Sequence, residues 1–296
     1  MDQVLASGRW FLPTIAVVVA VALTSSVAHA QETPSGHLFS EGFEDPNLAS
    51  RGWYDGKSFV LADDSAGPGR RSIQYHFTKG KLTPADSSGA RHALDSTDVV
   101  YLRFSIKLSP GWSWTGRPYG PHLLHFMTTE NGRYHGPAQS HLTVYIEPVN
   151  GKLRLATQDI QNKDQPHGLT QGPLKGGYNG QFFDSRDVLF DDGKWHTVEA
   201  MFKLNTLDLA RDRPNADGEA RGWVDGKPVI ERTDVVFRST DFPAMKFNQF
   251  LMLPYFHHGV PHDQTLWIDN LAVGTKRLGP LDDAPDPDPA TPARDH

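Results

Sequence analysis

Hydrophobic and polar residues alternate with a period of two along much of this chain. From Val99 to Leu108, the side chains of Val100, Leu102, Phe104, Ile106 and Leu108 share one face, and those of Tyr101, Arg103, Ser105 and Lys107 the other. Trp195 to Asn205 repeats the pattern, with Val198, Ala200, Phe202 and Leu204 inward and Glu199, Met201, Lys203 and Asn205 outward. In Gln139 to Glu147, Leu142, Val144 and Ile146 face the core, which turns Gln139, His141, Thr143, Tyr145 and Glu147 to the opposite side. Shorter runs predict strands at His37–Phe43, Ser72–Phe77, His122–Thr129, Lys152–Thr157, Glu219–Val224, Lys227–Arg232, Phe247–Phe256 and Thr265–Val273. Regular alternation in His122–Thr129 sets His122 and His125 on opposite faces, and Trp195, Trp223 and Trp267 read as core. Asn150-Gly151 and Asp225-Gly226 are hairpin signals, because both dipeptides tolerate the positive φ that tight two-residue turns need. Roughly a dozen strands with such turns predict two packed antiparallel sheets.

Between strands, Gln158 to Asp192 is rich in Gly, Gln, Asn and Asp and reads as a long loop of the kind that borders a binding site. Phe11 to Val27 is almost wholly apolar, follows Arg9 and leads into the small-x-small run Ala28-His29-Ala30. That pattern predicts a signal peptide over residues 1–30, cut before Gln31, and a secreted or periplasmic protein with no membrane anchor after cleavage. Pro13 and the polar Thr24-Ser25-Ser26 leave the apolar run short for a membrane span. Residues 31–280 then form one β-sandwich domain. Residues 281–296, where Pro and Asp alternate, form a disordered acidic tail.

With no cysteine in the chain, disulfides, thiolate nucleophiles and thiolate metal sites are all excluded. The net charge of -6 carries no basic face to attract nucleic acid, so a polyanionic partner needs a local cationic cleft.

The run Asp192-Gly193-Lys194-Trp195-His196-Thr197-Val198 is followed by Lys203-Leu204-Asn205-Thr206 and by the hairpin Gly222-Trp223-Val224-Asp225-Gly226-Lys227. Together these resemble segments of the concanavalin-like jelly-roll polysaccharide lyases, the glucuronan-lyase and alginate-lyase-like group. The closing run Gln264 to Leu271 is similar to the last strand of those domains. The resemblance covers Leu38 to Pro280, and its motifs are mostly structural; the R-S-E-L-R and Q-I-H signatures of the well-known alginate-lyase group are not recognisable. It implies an all-β, concanavalin-like jelly-roll β-sandwich. It further implies β-elimination on a uronate-containing polysaccharide: the carboxylate is neutralised, the C5 proton is removed and the leaving oxygen is protonated.

Those three roles need a cationic or amide neutraliser, a base and an acid. The residues that fit are His141 and Tyr145 as base and acid, with Gln139, Arg103 or His125 as neutraliser. Trp112 and Trp114, after a strand, suit sugar stacking; Lys203 and Asn205 suit a substrate carboxylate or hydroxyl; Tyr255 and His257 open an imidazole-rich run that can complete the groove. That run matches no zinc spacing, since His257 and His258 point to opposite sides when extended. No cofactor is required by this chemistry, but Glu41 and Glu44 near the first strand and Asp269 in the last are hard oxygen donors that can hold a structural calcium ion. Two other readings stay open. One is a non-catalytic, lectin-like carbohydrate-binding protein; the other is a glycoside hydrolase using Glu147 and Glu199, although the E-x-D-x-x-E pattern of sandwich glucanases is absent.

Overall fold

The computed structural model describes residues 36–67, 69–115, 121–128, 142–158, 181–190, 193–240 and 242–281. The predicted signal peptide, the acidic tail after Leu281, Gln139 and His141 lie outside the described residues. The first strands in chain order are β1 (His37–Glu41), β2 (Trp53–Tyr54), β3 (Val60–Ala62), β4 (Ser72–Phe77), β5 (Ala90–Thr97) and β6 (Val99–Leu108). Next come β7 (Pro121–Thr128), β8 (Leu142–Val149), β9 (Lys152–Gln158), β10 (Phe182–Asp184) and β11 (Trp195–Lys203). The last are β12 (Leu207–Asp208), β13 (Arg213–Pro214), β14 (Gly218–Val224), β15 (Lys227–Val235), β16 (Phe247–Phe256) and β17 (Gln264–Gly274).

These strands make two large antiparallel sheets. One runs β15-β14-β11-β6-β17-β4-β3, with β1 added on β17; the other runs β10-β9-β8-β7-β16-β5-β2. β12 and β13 pair apart from both. The alternation predicted for β6 and β11 holds, because Val100, Leu102, Phe104, Val198, Ala200 and Phe202 are all buried against Leu124, Phe126, Val144, Ile146 and Phe250 of the second sheet. Each of the Val, Leu, Ile and Phe side chains contributes roughly 1.5–3 kcal/mol when fully removed from water. With no disulfides in the chain, this shared core is what holds the sheets face to face. Both predicted hairpins form: Asn150 and Gly151 (φ 50° and 78°) join β8 to β9, and Asp225 and Gly226 (φ 50° and 76°) join β14 to β15. Positive φ at both central residues matches the right-handed twist of the flanking strands.

Several expectations change. Trp195 and Trp267 do not enter the core, and Trp223, though buried, is not part of the cluster between the sheets; strand alternation turns all three to the outer face of the eight-stranded sheet. There Trp195 and Trp267 flank the Lys107 ammonium, and Arg277 covers Trp223. β5 was not legible, since Ala90-Arg91-His92-Ala93-Leu94-Asp95 has weak strand propensity and Ala90 is its one buried apolar side chain; pairing with β16 and β2 holds it extended. Within the stretch read as a loop, Phe182–Asp184 forms the edge strand β10.

Candidate functional site

The outer face of the seven-stranded sheet gathers the titratable groups. One register row crosses all seven strands: Tyr54 of β2 opposes Arg91 of β5, Arg91 opposes Leu251 of β16, and Leu251 opposes His125 of β7. His125 opposes Tyr145 of β8, which opposes Ala156 of β9, which opposes Phe182 of β10. His125 stands at the centre of the row and Tyr145 next to it, their ring centroids 4.5 Å apart in an edge-to-face contact.

His122 joins the same face, contrary to the alternation expected of β7. Four residues of β16, Met252 to Tyr255, lie opposite three of β7, Leu124 to His122. This register shift breaks the period of two, so Leu123 and Leu124 both bury in the core and His122 turns outward. Its ring lies 4.8 Å from Tyr145 and 6.1 Å from His125.

Around His122 the predicted Tyr255 and His257 also assemble. Tyr255 stacks at 6.2 Å, and His257 Nε2 lies 2.8 Å from His122 Nε2, one imidazole donating and the other accepting. On the other side of the ring, Glu147 Oε2 approaches His122 Nδ1 at 3.2 Å, off the line of a hydrogen bond. Burial raises the Glu147 carboxyl above its usual range, with His122 and Arg154 opposing that shift. Burial lowers His257, and the His122 and His258 rings add to the effect.

His125 is 2% exposed, and burial lowers it well below the ordinary imidazole range, so it is neutral at pH 7. Its Nδ1 faces the Leu251 carbonyl at 3.4 Å. A carbonyl only accepts, so Nδ1 carries the hydrogen and Nε2 the lone pair. Further along the face, Arg91 donates to Gln249 Oε1 at 2.6 Å and pairs with Asp55 at 3.2 Å, and Gln249 donates to the Tyr54 hydroxyl at 2.5 Å. These contacts hold an amide and a guanidinium side by side, next to a hollow of about 330 Å³ lined by Asp55, Lys57, Arg91, Leu251 and Leu253.

Other expected site residues lie elsewhere. Arg103 and Lys203 are on the outer face of the eight-stranded sheet, where Arg103 donates to the Gly279 carbonyl and Lys203 pairs with Glu219. The core separates them from Tyr145, so neither meets a substrate bound there. Asn205 is fully buried; its Oδ1 accepts from the Phe237 and Arg238 amides, a structural role. Trp112 and Trp114 pack on each other and, through Phe256, against the core. Glu147 and Glu199 are on opposite outer faces and cannot flank one glycosidic bond, since Glu199 accepts from Arg277 and the Leu278 amide.

Glu41, Glu44 and Asp269, the residues expected to hold calcium, each accept hydrogen bonds from within the protein. Glu41 accepts from the Phe43 amide, Arg51 and the Trp53 indole. Glu44 accepts from the Arg70 and Arg71 amides, and Asp269 from the Ala66 and Asn270 amides. Among the described residues no three His, Asp or Glu side chains converge as metal ligands. Burial pushes Asp269 up to about 6, against its two amide hydrogen bonds.

Sequence reasoning missed His122, Arg91 and Gln249. His122 was hidden by the register shift and Arg91 by the weak propensity of β5. Gln249 lay in a predicted strand, but nothing in the sequence paired that strand with the others.

No protein-family profile and no curated protein matches the sequence. Solved structures do. The alginate lyase vAL-1 from Chlorella virus superposes with a TM-score of 0.58 at 14% identity, covering 80% of this chain and all of that one. The marine PL-14 alginate lyase from Aplysia kurodai gives 0.57 at 14% identity, covering 82% and 99%. The alginate lyase Aly36B, as a mutant in complex with alginate trisaccharide, gives 0.54 at 16% identity, covering 81% and 99%. Identities this low speak for architecture, and together with the two antiparallel sheets they show that the chain has the jelly-roll β-sandwich fold of the alginate-lyase-like polysaccharide lyases.

Proposed function

We propose that this protein is a secreted polysaccharide lyase that cleaves a uronate-containing polymer by β-elimination on the outer face of its seven-stranded sheet. The observation that carries the reading is Tyr145 flanked by His125 and His122, with Arg91 in the same register row reaching across β16 to Gln249 and to Met127 of β7. The solved structures of the same fold are alginate lyases, one of them holding an alginate trisaccharide, which supports an acidic polysaccharide as the substrate class.

Arg91 and the Gln249 amide receive the substrate carboxylate and stabilise the charge that builds on it as C5 loses its proton. His125 Nε2 takes that proton. The C5–H electrons become the C4=C5 double bond, the C4–O bond breaks, and the leaving oxygen takes the Tyr145 proton. One proton has then moved onto His125 and one has left Tyr145. Release of the proton from His125 and uptake of one by Tyr145 from water restore both groups. His141, which precedes β8, is a second candidate base.

The test is to incubate the purified protein with alginate, glucuronan, pectate, heparin-like and chondroitin-like chains and follow the ultraviolet absorbance of the unsaturated product. Tyr145→Phe removes only a hydroxyl from a half-buried side chain, and it should cut the rate by about 10²-fold or more while leaving the fold intact. No product from any polymer, with binding retained, would instead favour a lectin-like protein.

A further inference from the structure

At the edge of the sheet, β10 alternates: Phe183 is buried in the core, while Phe182 and Asp184 turn to the face that carries Tyr145. Asp184 accepts two hydrogen bonds from Arg154, at 2.6 and 2.8 Å, and Arg154 is 6% exposed. A fork gripped at both prongs has little rotational freedom. Its guanidinium carbon lies 4.2 Å from the centroid of the Phe182 ring, which itself is 38% exposed. Single exposed apolar side chains are ordinary on protein surfaces. This one differs in being braced by an immobilised guanidinium and in standing in the same register row as the proton-transfer pair, with only the small Ala156 between it and Tyr145.

Neighbouring strands are spaced by about 4.8 Å, so Phe182 lies roughly 10 Å from Tyr145 along the row. A 1,4-linked pyranose chain advances by close to one strand spacing per sugar. A polymer laid along the row therefore crosses the strands and brings the sugar two positions from the reacting one over Phe182. On the other side of Tyr145, the same row leads to Arg91 and Tyr54.

We propose that Phe182, held by the Arg154–Asp184 pair, is a sugar-stacking subsite for the uronate chain, two sugars from the residue bound at Tyr145. The inference rests on the uronate-lyase reading of the face, which it extends to the direction of the chain and to a distal contact. Because Asp184 neutralises Arg154, the subsite binds through the apolar face of the sugar, and its contribution is insensitive to salt, unlike that of Arg91.

The test measures binding of glucuronate, mannuronate and guluronate oligomers, from disaccharide to hexasaccharide, to the full chain carrying Tyr145→Phe so that turnover is suppressed. Adding Phe182→Ala should weaken the longer oligomers by about tenfold, leave the disaccharide unchanged, and keep the same difference at high salt. Phe182→Trp should restore the longer oligomers, and circular dichroism should show all variants folded. Equal binding by the Phe182→Ala and Phe182 forms at every length, or a loss that is equal for disaccharide and hexasaccharide, overturns the subsite. Length-dependent loss in a protein whose Tyr145 form yields no unsaturated product keeps the subsite and removes the lyase reading. No binding of any oligomer overturns both.

Discussion

Glu41→Ala isolates what holds the margin of the site. The Glu41 side chain is 2% exposed and accepts from the Phe43 amide at 2.8 Å, from Arg51 Nε at 2.8 Å and Nη2 at 3.1 Å, and from the Trp53 indole at 3.1 Å. Truncation orphans the Phe43 and Trp53 donors, each at a cost of about 1–3 kcal/mol. Arg51 loses its carboxylate too, but its side chain is 32% exposed and it also donates to the Asn47 and Asp45 carbonyls, so water replaces much of that pair. The sum is about 3–5 kcal/mol, which is the range for breaking a buried ion pair from one side. For a domain of this size it corresponds to a melting temperature lower by roughly 10 °C. Thermal and urea unfolding measure it, and the urea midpoint should fall with the slope unchanged. Since Trp53 precedes Tyr54, whose hydroxyl accepts from Gln249, the loosened strand also frees that amide. A loss below about 1 kcal/mol, or a wild-type stability that a chelator lowers, would refute this reasoning and return Glu41 to cation binding.

The other consequences concern the reacting face. Arg91→Lys keeps the charge but cannot hold Gln249 and Asp55 together, so kcat/KM on the active polymer should fall by about 10²-fold, with the unfolding midpoint nearly unmoved. Unchanged kinetics would remove Arg91 as the neutraliser. His125, lowered by burial, binds its proton less readily folded than unfolded; its stabilising contribution is full above the ordinary imidazole value of 6.5 and drains as pH falls below it. His257 shifts the same way and must be compared in the same series. His125→Gln should flatten the acid side of a stability-against-pH curve measured by urea unfolding, and an unaltered slope there would contradict a buried neutral His125.

The period-of-two pattern in β6, β8 and β11 was enough to determine the all-β class, the core faces and the outward row that contains Tyr145, because strand alternation is a local property of the backbone. The two Asx-Gly hairpins were legible for the same reason: their positive φ values are a demand on two adjacent residues. What pairs across strands was not local. Regular alternation put His122 and His125 on opposite faces, and only the register shift against β16 brought them together. Arg103, Lys203 and Tyr145 all point outward from their strands, yet sheet assignment places the first two on the far side of the core from the third. Arg91 sits on a strand that pairing alone keeps extended, and Gln249 meets it across β5 and β16, from positions far apart in the chain. A strand's own sequence determines which side chains share a face; which faces meet depends on the free energy of packing the whole sandwich, and the tertiary structure alone decided that.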